Sequence, residues 1–211
     1  MSAFCDAVFL DFDGVILESR DAKAQAFREL YREYGADVAE AAVAHHRAHD
    51  GLSRRKKIRH CHARLLDITL NKDGLDALAK RFSLLLEDAV TACAWVPGAD
   101  TFLERHCRSL ALFVVSRAPE DELKRIVARR GIAGCFRAVR GAPPEKVAII
   151  RGLLRDHCLS PNRVLFIGDA RSDHDAARAA GLRFVGRVAA GRRTPFPAGT
   201  RLVSDLTELK L

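Results

Sequence analysis

RVLFIGDARSDHDAARAAGLRFVG, residues 163–186, decides the fold. Residues 163–167 form a short apolar run without polar alternation, which predicts a strand buried on both faces. The run stops at Gly168-Asp169. Residues 172–180 then read as a helix and 183–186 as a second strand. Strand, acidic tip, helix and strand in that order form the repeating unit of a parallel sheet, because parallel neighbours need a crossover.

The same alternation extends upstream as far as Pro97-Gly98, which punctuates the chain. Residues 99–108 read as helix, 110–115 (LALFVV) as strand and 119–130 as helix. Residues 136–139 read as a short strand and 143–158 as helix. At the N-terminus, residues 7–12 (AVFLDF) read as a buried strand that ends in acid before Gly14. Between these parts the period changes. Ala26, Phe27, Leu30, Tyr31 and Tyr34 share one helical face, with Gly35 as a stop. Residues 37–49, 54–67 and 75–92 continue as helices, the last with a stripe of Leu75, Leu78, Phe82, Leu85, Leu86 and Ala89. No strand pattern occurs between 18 and 92. The expected fold class is therefore α/β, a Rossmann-like parallel sheet core built from residues 1–17 and 93–211, with an inserted α-helical domain over 18–92. The Arg/Gly/Pro-rich stretch 186–199 reads as a surface loop, and 201–209 as a final short element.

Composition bounds the partners. The chain has 211 residues, 48% hydrophobic and 29% charged, which suits a soluble globular protein and excludes a disordered one. Thirty-five basic residues against 27 acidic ones leave a net charge of +8. That excess admits nucleic acid, an acidic membrane surface or small anionic substrates. Aromatic residues are only 7%, so stacking platforms for nucleic acid are scarce. Asp6, Asp11 and Asp13 interrupt the apolar N-terminus and no basic segment precedes it, so no export signal is read there. The six cysteines are scattered without a CxxC pair, which fits reduced thiols in a cytoplasmic protein.

Ligands of open parallel sheets collect at the C-terminal strand ends. Here those ends carry Asp11, Asp13 and Gly14, then Ser116, then Asp169 with Asp173 four residues on. Lys146 lies near the start of the helix after the third strand. Clustered carboxylates repel unless a cation joins them, and carboxylate oxygens with room for water suit Mg²⁺. The ammonium and the hydroxyl are donors for phosphoryl oxygens. One carboxylate can attack phosphorus, and another two residues on can act as acid and base. Taken singly, the carboxylates and Ser116 also suit helix capping, and Lys146 suits a solvated helix start.

DFDGVILES (11–19), VVS (114–116), Lys146 in GAPPEK and GDARSDHDAARAAG (168–181) together resemble the four motifs of the haloacid dehalogenase superfamily. The resemblance is to its phosphoglycolate-phosphatase and β-phosphoglucomutase type, with a helical cap after the first motif. It implies that Asp11 is the nucleophile and a Mg²⁺ ligand. Asp13 would be the general acid/base and give the metal its carbonyl. Ser116 would bond the phosphoryl group and Lys146 would offset negative charge. Asp169 would ligate Mg²⁺, and Asp173 would ligate through water or brace Lys146. Relatives that cleave carbon–halogen or carbon–phosphorus bonds lack an acid at the place of Asp13, so its presence favours phosphate esters. The resemblance also places Arg54 in the substrate-binding set, which Gly14 beside Asp13 and Arg117 beside Ser116 complete. Arg54 follows from the Gly51-Leu52-Ser53-Arg54 loop, whose counterpart faces the active site in mobile-cap relatives. Arg117 departs from the Gly or Asn usual after the Ser, and Glu18 from a usual Asp.

His45, His46, His49, His60 and His62 crowd the cap. His45 and His49 have i, i+4 spacing, but nothing completes a zinc pattern, so surface and core roles are expected. Residues 18–92 hold 14 basic and 12 acidic side chains, so most of the excess charge belongs to the core. The arginines beyond Arg54 and Arg117 read as solvated surface. The expected function is a Mg²⁺-dependent phosphatase acting on a small phosphorylated metabolite, a sugar phosphate or sugar-acid phosphate. A sugar phosphomutase is the alternative, and a non-catalytic nucleic-acid-binding or regulatory module a third. No membrane or nucleic-acid partner is expected, and the chain is expected to be a cytoplasmic monomer or homodimer.

Overall fold

Ala7–Leu10 forms strand β1 near the middle of the sheet, and all four of its side chains are buried. The computed structural model describes residues 5–49 and 52–209. After β1 come four helices, α1 (Arg20–Tyr31), α2 (Ala36–Ala48), α3 (Arg54–Leu65) and α4 (Lys72–Thr91). Then follow α5 (Ala99–His106), β2 (Ala111–Pro119), α6 (Glu120–Arg129), β3 (Ala138–Ala142) and α7 (Lys146–Asp156). The chain finishes with β4 (Val164–Gly168), α8 (Arg171–Ala179), β5 (Arg183–Arg187) and the short β6 (Leu202–Val203). The chain divides into two compact units, Met1–Glu18 with Ala94–Leu211, and Ser19–Cys93.

The first unit is α/β. Its six strands are parallel in the order β3-β2-β1-β4-β5-β6. Continuous apolar runs form these strands because both sheet faces are covered. Phe9, Phe113 and Phe166 align across the three middle strands on one face. They pack with Ile150 and Leu153 of α7 and Ala177 of α8. Val8, Leu10, Leu112, Val114, Leu165 and Ile167 fill the other face and are equally buried. The order reverses at β1, because β2 lies on one side of it and β4 on the other. A crevice at such a switch point is where this architecture holds ligands.

Among the described residues of the second unit, the regular elements are all helices. Phe27 of α1 meets Phe82 of α4 with ring centroids 4.6 Å apart. Leu30, Leu75, Leu86 and Val90 are buried in the same unit. Ser53 caps α3 by accepting the Lys56 N–H, and Asn71 caps α4 by accepting the Gly74 N–H at 2.8 Å.

Three local expectations are corrected. Tyr34 leaves the apolar face of α1, because the chain tightens into a 3₁₀ turn at Arg32–Tyr34 and exposes that ring. β2 does not stop at residue 115. It runs through Ser116 to Pro119, with a register shift against β3 between Val115 and Pro119. The stretch 186–199 is more than a surface loop. Gly186 and Arg187 belong to β5 and pair with β6, and Phe196 is buried against Phe184 at 5.3 Å between ring centroids. All six cysteines are free thiols. Among the described residues no helix is long and apolar enough to cross a membrane.

Candidate active site

The strand register brings the polar groups of the site together. Leu10 pairs with Val114 on one side and Ile167 on the other, so Asp11, Ser116 and Asp169 emerge at neighbouring strand ends. All three are buried. The Asp11 N–H donates to the Ile167 carbonyl at 2.9 Å, which carries the β1–β4 pairing to the last residue before the turn. Asp11 Oδ1 accepts the Phe12 N–H at 2.7 Å.

Lys146 is the first residue of α7, and its ammonium is buried. Nζ lies 2.9 Å from Asp11 Oδ2 and 2.5 Å from Asp173 Oδ1. Asp173 is wholly buried in the first turn of α8. Its Oδ2 accepts the Asp169 N–H at 3.1 Å and the Ala170 N–H at 3.0 Å. Asp173 thus caps α8, fixes the Asp169 loop and braces Lys146 together. Gly168 permits this approach, since a Cβ there would lie 2.4 Å from the Asp173 Cβ.

Oxygens of Asp11, Asp169 and Asp173 all lie within 4.8 Å of one another. Burial pushes the Asp11 carboxyl up to about 8; Lys146 lowers it, whereas Asp173, Asp169 and Asp13 raise it further. Burial works against the Lys146 ammonium, but Asp11 and Asp173 outweigh it and hold the amine charged well above its usual range. Three buried carboxylates against one ammonium leave the pocket short of positive charge. An all-oxygen donor set with that deficit fits a hard divalent cation.

Asp13 is half-buried and starts the turn after β1. Gly14 follows with φ of 72°, a left-handed conformation that favours glycine. Ser116 Oγ accepts the Ala118 N–H at 3.1 Å inside the extended end of β2. It does not cap α6, whose N-cap is Pro119. Arg117 is exposed beside it.

Arg54 begins α3 in the helical unit. It is half-buried, lies 5.0 Å from the Phe82 ring centroid and donates to Ser83 Oγ. Gly51 of the same loop lies outside the described residues. The basic run divides its labour. Arg55 pairs with Asp76, while Lys57 is buried with Nζ 2.8 Å from His46 Nδ1. Of the histidines, His46 and His62 are core residues, and His45 stacks on His60 at 3.8 Å between ring centroids.

Sequence reasoning missed Arg187. It is buried at the end of β5 and pairs with Glu18 at 2.5 Å. An Arg in an Arg/Gly/Pro-rich stretch reads as solvated. The available signal was its place at the end of an apolar strand run.

A model of the haloacid dehalogenase-like hydrolase family matches residues 8–187. The chain belongs to the haloacid dehalogenase-like hydrolases. It is an enzyme of this family, a hydrolase of the phosphatase type. Its sequence is similar to the phosphoglycolate phosphatase of Pseudomonas putida, 27% identical over 215 residues, covering 96% of this chain and 77% of that protein. Its fold is similar to the HAD-hydrolase YfnB from Bacillus subtilis bound to magnesium, with a TM-score of 0.74, 16% identity and coverage of 97% and 96%. A Thermotoga maritima protein described as a β-phosphoglucomutase gives a TM-score of 0.73 at 21% identity, covering 94% of each chain.

Proposed function

We propose that the chain is a cytoplasmic Mg²⁺-dependent phosphatase that hydrolyses a small phosphorylated metabolite through an aspartyl-phosphate, with the sheet unit as catalytic core and the helical unit as cap. The observation that carries this reading is the Lys146 ammonium shared by Asp11 and Asp173 within a buried carboxylate triad. A sugar-acid phosphate is the favoured substrate class, because the Pseudomonas putida relative is a phosphoglycolate phosphatase.

Asp11 and Asp169, with the Asp13 carbonyl, would hold the cation. When bound, Mg²⁺ neutralises charge on the phosphoryl oxygens. Asp173 is committed to Lys146 and two amides, so it acts as the brace that orients the ammonium. Lys146 holds Asp11 in place and opposes the charge of the incoming phosphate. Ser116 accepts an N–H, which leaves its hydroxyl hydrogen to donate to a phosphoryl oxygen.

In the first step an Asp11 oxygen bonds to phosphorus while the ester P–O bond breaks. The electron pair stays with the departing oxygen, and Asp13 gives that oxygen a proton. In the second step Asp13 takes a proton from water, whose oxygen attacks the phosphorus of the acyl phosphate. The Asp11–phosphorus bond then breaks, inorganic phosphate leaves and Asp11 is restored. Arg54 serves as the anchor for the distal carboxylate or phosphate of the substrate, with Gly14 and Arg117 lining its phosphoryl end.

A phosphate-release screen over a metabolite panel that includes phosphoglycolate tests this reading. Release is expected with Mg²⁺, loss with chelator and recovery on adding Mg²⁺ back. Asp11→Asn is expected to keep the fold by circular dichroism and lose turnover. Substantial activity in that variant would overturn the nucleophile. Isomerisation of a sugar phosphate without release would favour the mutase.

A further inference from the structure

The steps above make no use of Arg187, yet it is one of the most heavily bonded side chains of the sheet unit. It closes β5 and is 5% exposed. Nε donates to the Ser204 carbonyl at 2.9 Å. Nη1 donates to the Gly14 carbonyl at 3.3 Å and to Glu18 Oε2 at 3.1 Å, and Nη2 donates to Glu18 Oε1 at 2.5 Å. The planar guanidinium therefore grips a carboxylate with two nitrogens and two backbone carbonyls besides. A Lys ammonium has no fork to do this.

Gly14 and Glu18 bracket the turn that begins at Asp13. Inside it the Phe12 carbonyl accepts N–H groups from Ile16 at 3.0 Å and Leu17 at 3.2 Å, and the Gly14 N–H donates to the Leu17 carbonyl at 2.7 Å. These bonds shape the turn, and the Val96 N–H on the Ile16 carbonyl at 3.0 Å ties it to the returning chain, which leaves Arg187 as its tie to β5. Gly14 holds a left-handed backbone with φ of 72°, and its carbonyl is one that Arg187 takes. The far end, Glu18, is pinned by the same guanidinium and by its N–H to the Ala94 carbonyl at 3.0 Å.

We propose that Arg187 is a positioning residue for Asp13: through Gly14 and Glu18 it fixes the turn so that the Asp13 carboxyl meets the departing oxygen. The proposal rests on the phosphatase reading above. Loosening the clamp leaves Asp11, Lys146 and Ser116 in place on their own strands and helix. The defect is therefore confined to the proton transfers of Asp13, to the departing oxygen in the first step and from water in the second. When the ester P–O bond breaks, an alkoxide must take the Asp13 proton, whereas a nitrophenolate leaves without one.

The test compares two esters on full-length wild type, Arg187→Met, Arg187→Lys and Glu18→Gln, each checked for fold by circular dichroism. One ester is phosphoglycolate, or the alkyl phosphate that the wild type hydrolyses fastest in the panel. The other is p-nitrophenyl phosphate. For Arg187→Met, kcat/KM, which reports the first step alone, is expected to fall by about 100-fold on the alkyl ester and by less than ~5-fold on p-nitrophenyl phosphate, while the shared second step enters kcat for both. Arg187→Lys should fall between, since it keeps the charge but not the fork. If Arg187→Met does not fold, Glu18→Gln carries the same test, with a smaller but still alkyl-selective loss. An equal loss of kcat/KM on both esters, or none on either, overturns the positioning role. A wild type that releases phosphate from neither ester overturns the phosphatase reading itself, and no variant enters that result.

Discussion

Asp11 and Asp173 both touch the Lys146 ammonium, yet their surroundings differ. Asp173 is satisfied by the ammonium and two backbone N–H groups, so it is part of the fold. Asp11 shares that ammonium but sits buried among the like charges of Asp173, Asp169 and Asp13. Removing the first should hurt stability, and removing the second should not. In metal-free buffer, urea denaturation should show Asp173→Asn destabilised by about 3–5 kcal/mol, because it breaks a buried ion pair. Asp11→Asn should be at least as stable as wild type, since it removes repulsion that function requires. A destabilised Asp11→Asn would refute that division. Gly168→Ala should cost about 1–3 kcal/mol, because its methyl group would press on Asp173. The four motif segments were legible in the sequence because each acid, hydroxyl or ammonium stands where an apolar period breaks. Arg187 was not, because its partners at Gly14 and Glu18 lie 173 and 169 residues away. Residue type alone puts an arginine in water.

Most elements were legible from period and punctuation, since burial on one helical stripe or on both strand faces leaves its mark on the sequence. The end of β2 was not. Ser116-Arg117-Ala118-Pro119 has the composition of a turn, and only the shifted pairing with β3 keeps it extended. The contents of the helix interfaces were also hidden. His62 is buried between α1 and α3, where the Tyr31 hydroxyl lies 2.8 Å from its Nδ1. Burial pushes the His62 imidazole below its usual range, with the Ile58 carbonyl and Glu33 opposing. The folded form therefore favours the neutral ring, and the unfolded form takes up the proton first as pH falls. Stability present above about pH 6.5 is lost as pH drops through the unfolded value. His45 is shifted the same way by burial and by His60, His49 and Lys57. Thermal melts from pH 8 to pH 5 should show this acid-side loss. His62→Gln, which cannot titrate, should show less of it; equal slopes in both proteins would contradict the assignment.

Across the whole molecule, 35 basic residues against 27 acidic ones leave a field that attracts anions. With a small dianionic ester, kcat/KM should fall by about 2–5-fold between low and physiological salt, because exposed charges are screened. A salt-independent value would mean that the surface arginines do not steer substrate. The division into a sheet unit and a helical unit was legible because strand period vanishes between residues 18 and 92. The manner of the insertion was not. The outgoing and returning chains run side by side, with the Glu18 N–H on the Ala94 carbonyl, Leu17 bridged to Trp95 and the Val96 N–H on the Ile16 carbonyl. That stem makes the 75 residues between Ser19 and Cys93 an interchangeable cassette. A gene shuffled at these two codons would exchange one helical unit for another while each sheet strand kept its partner. Under the proposed role of the helical unit as cap, new specificity in this architecture arises by splicing as well as by point substitution.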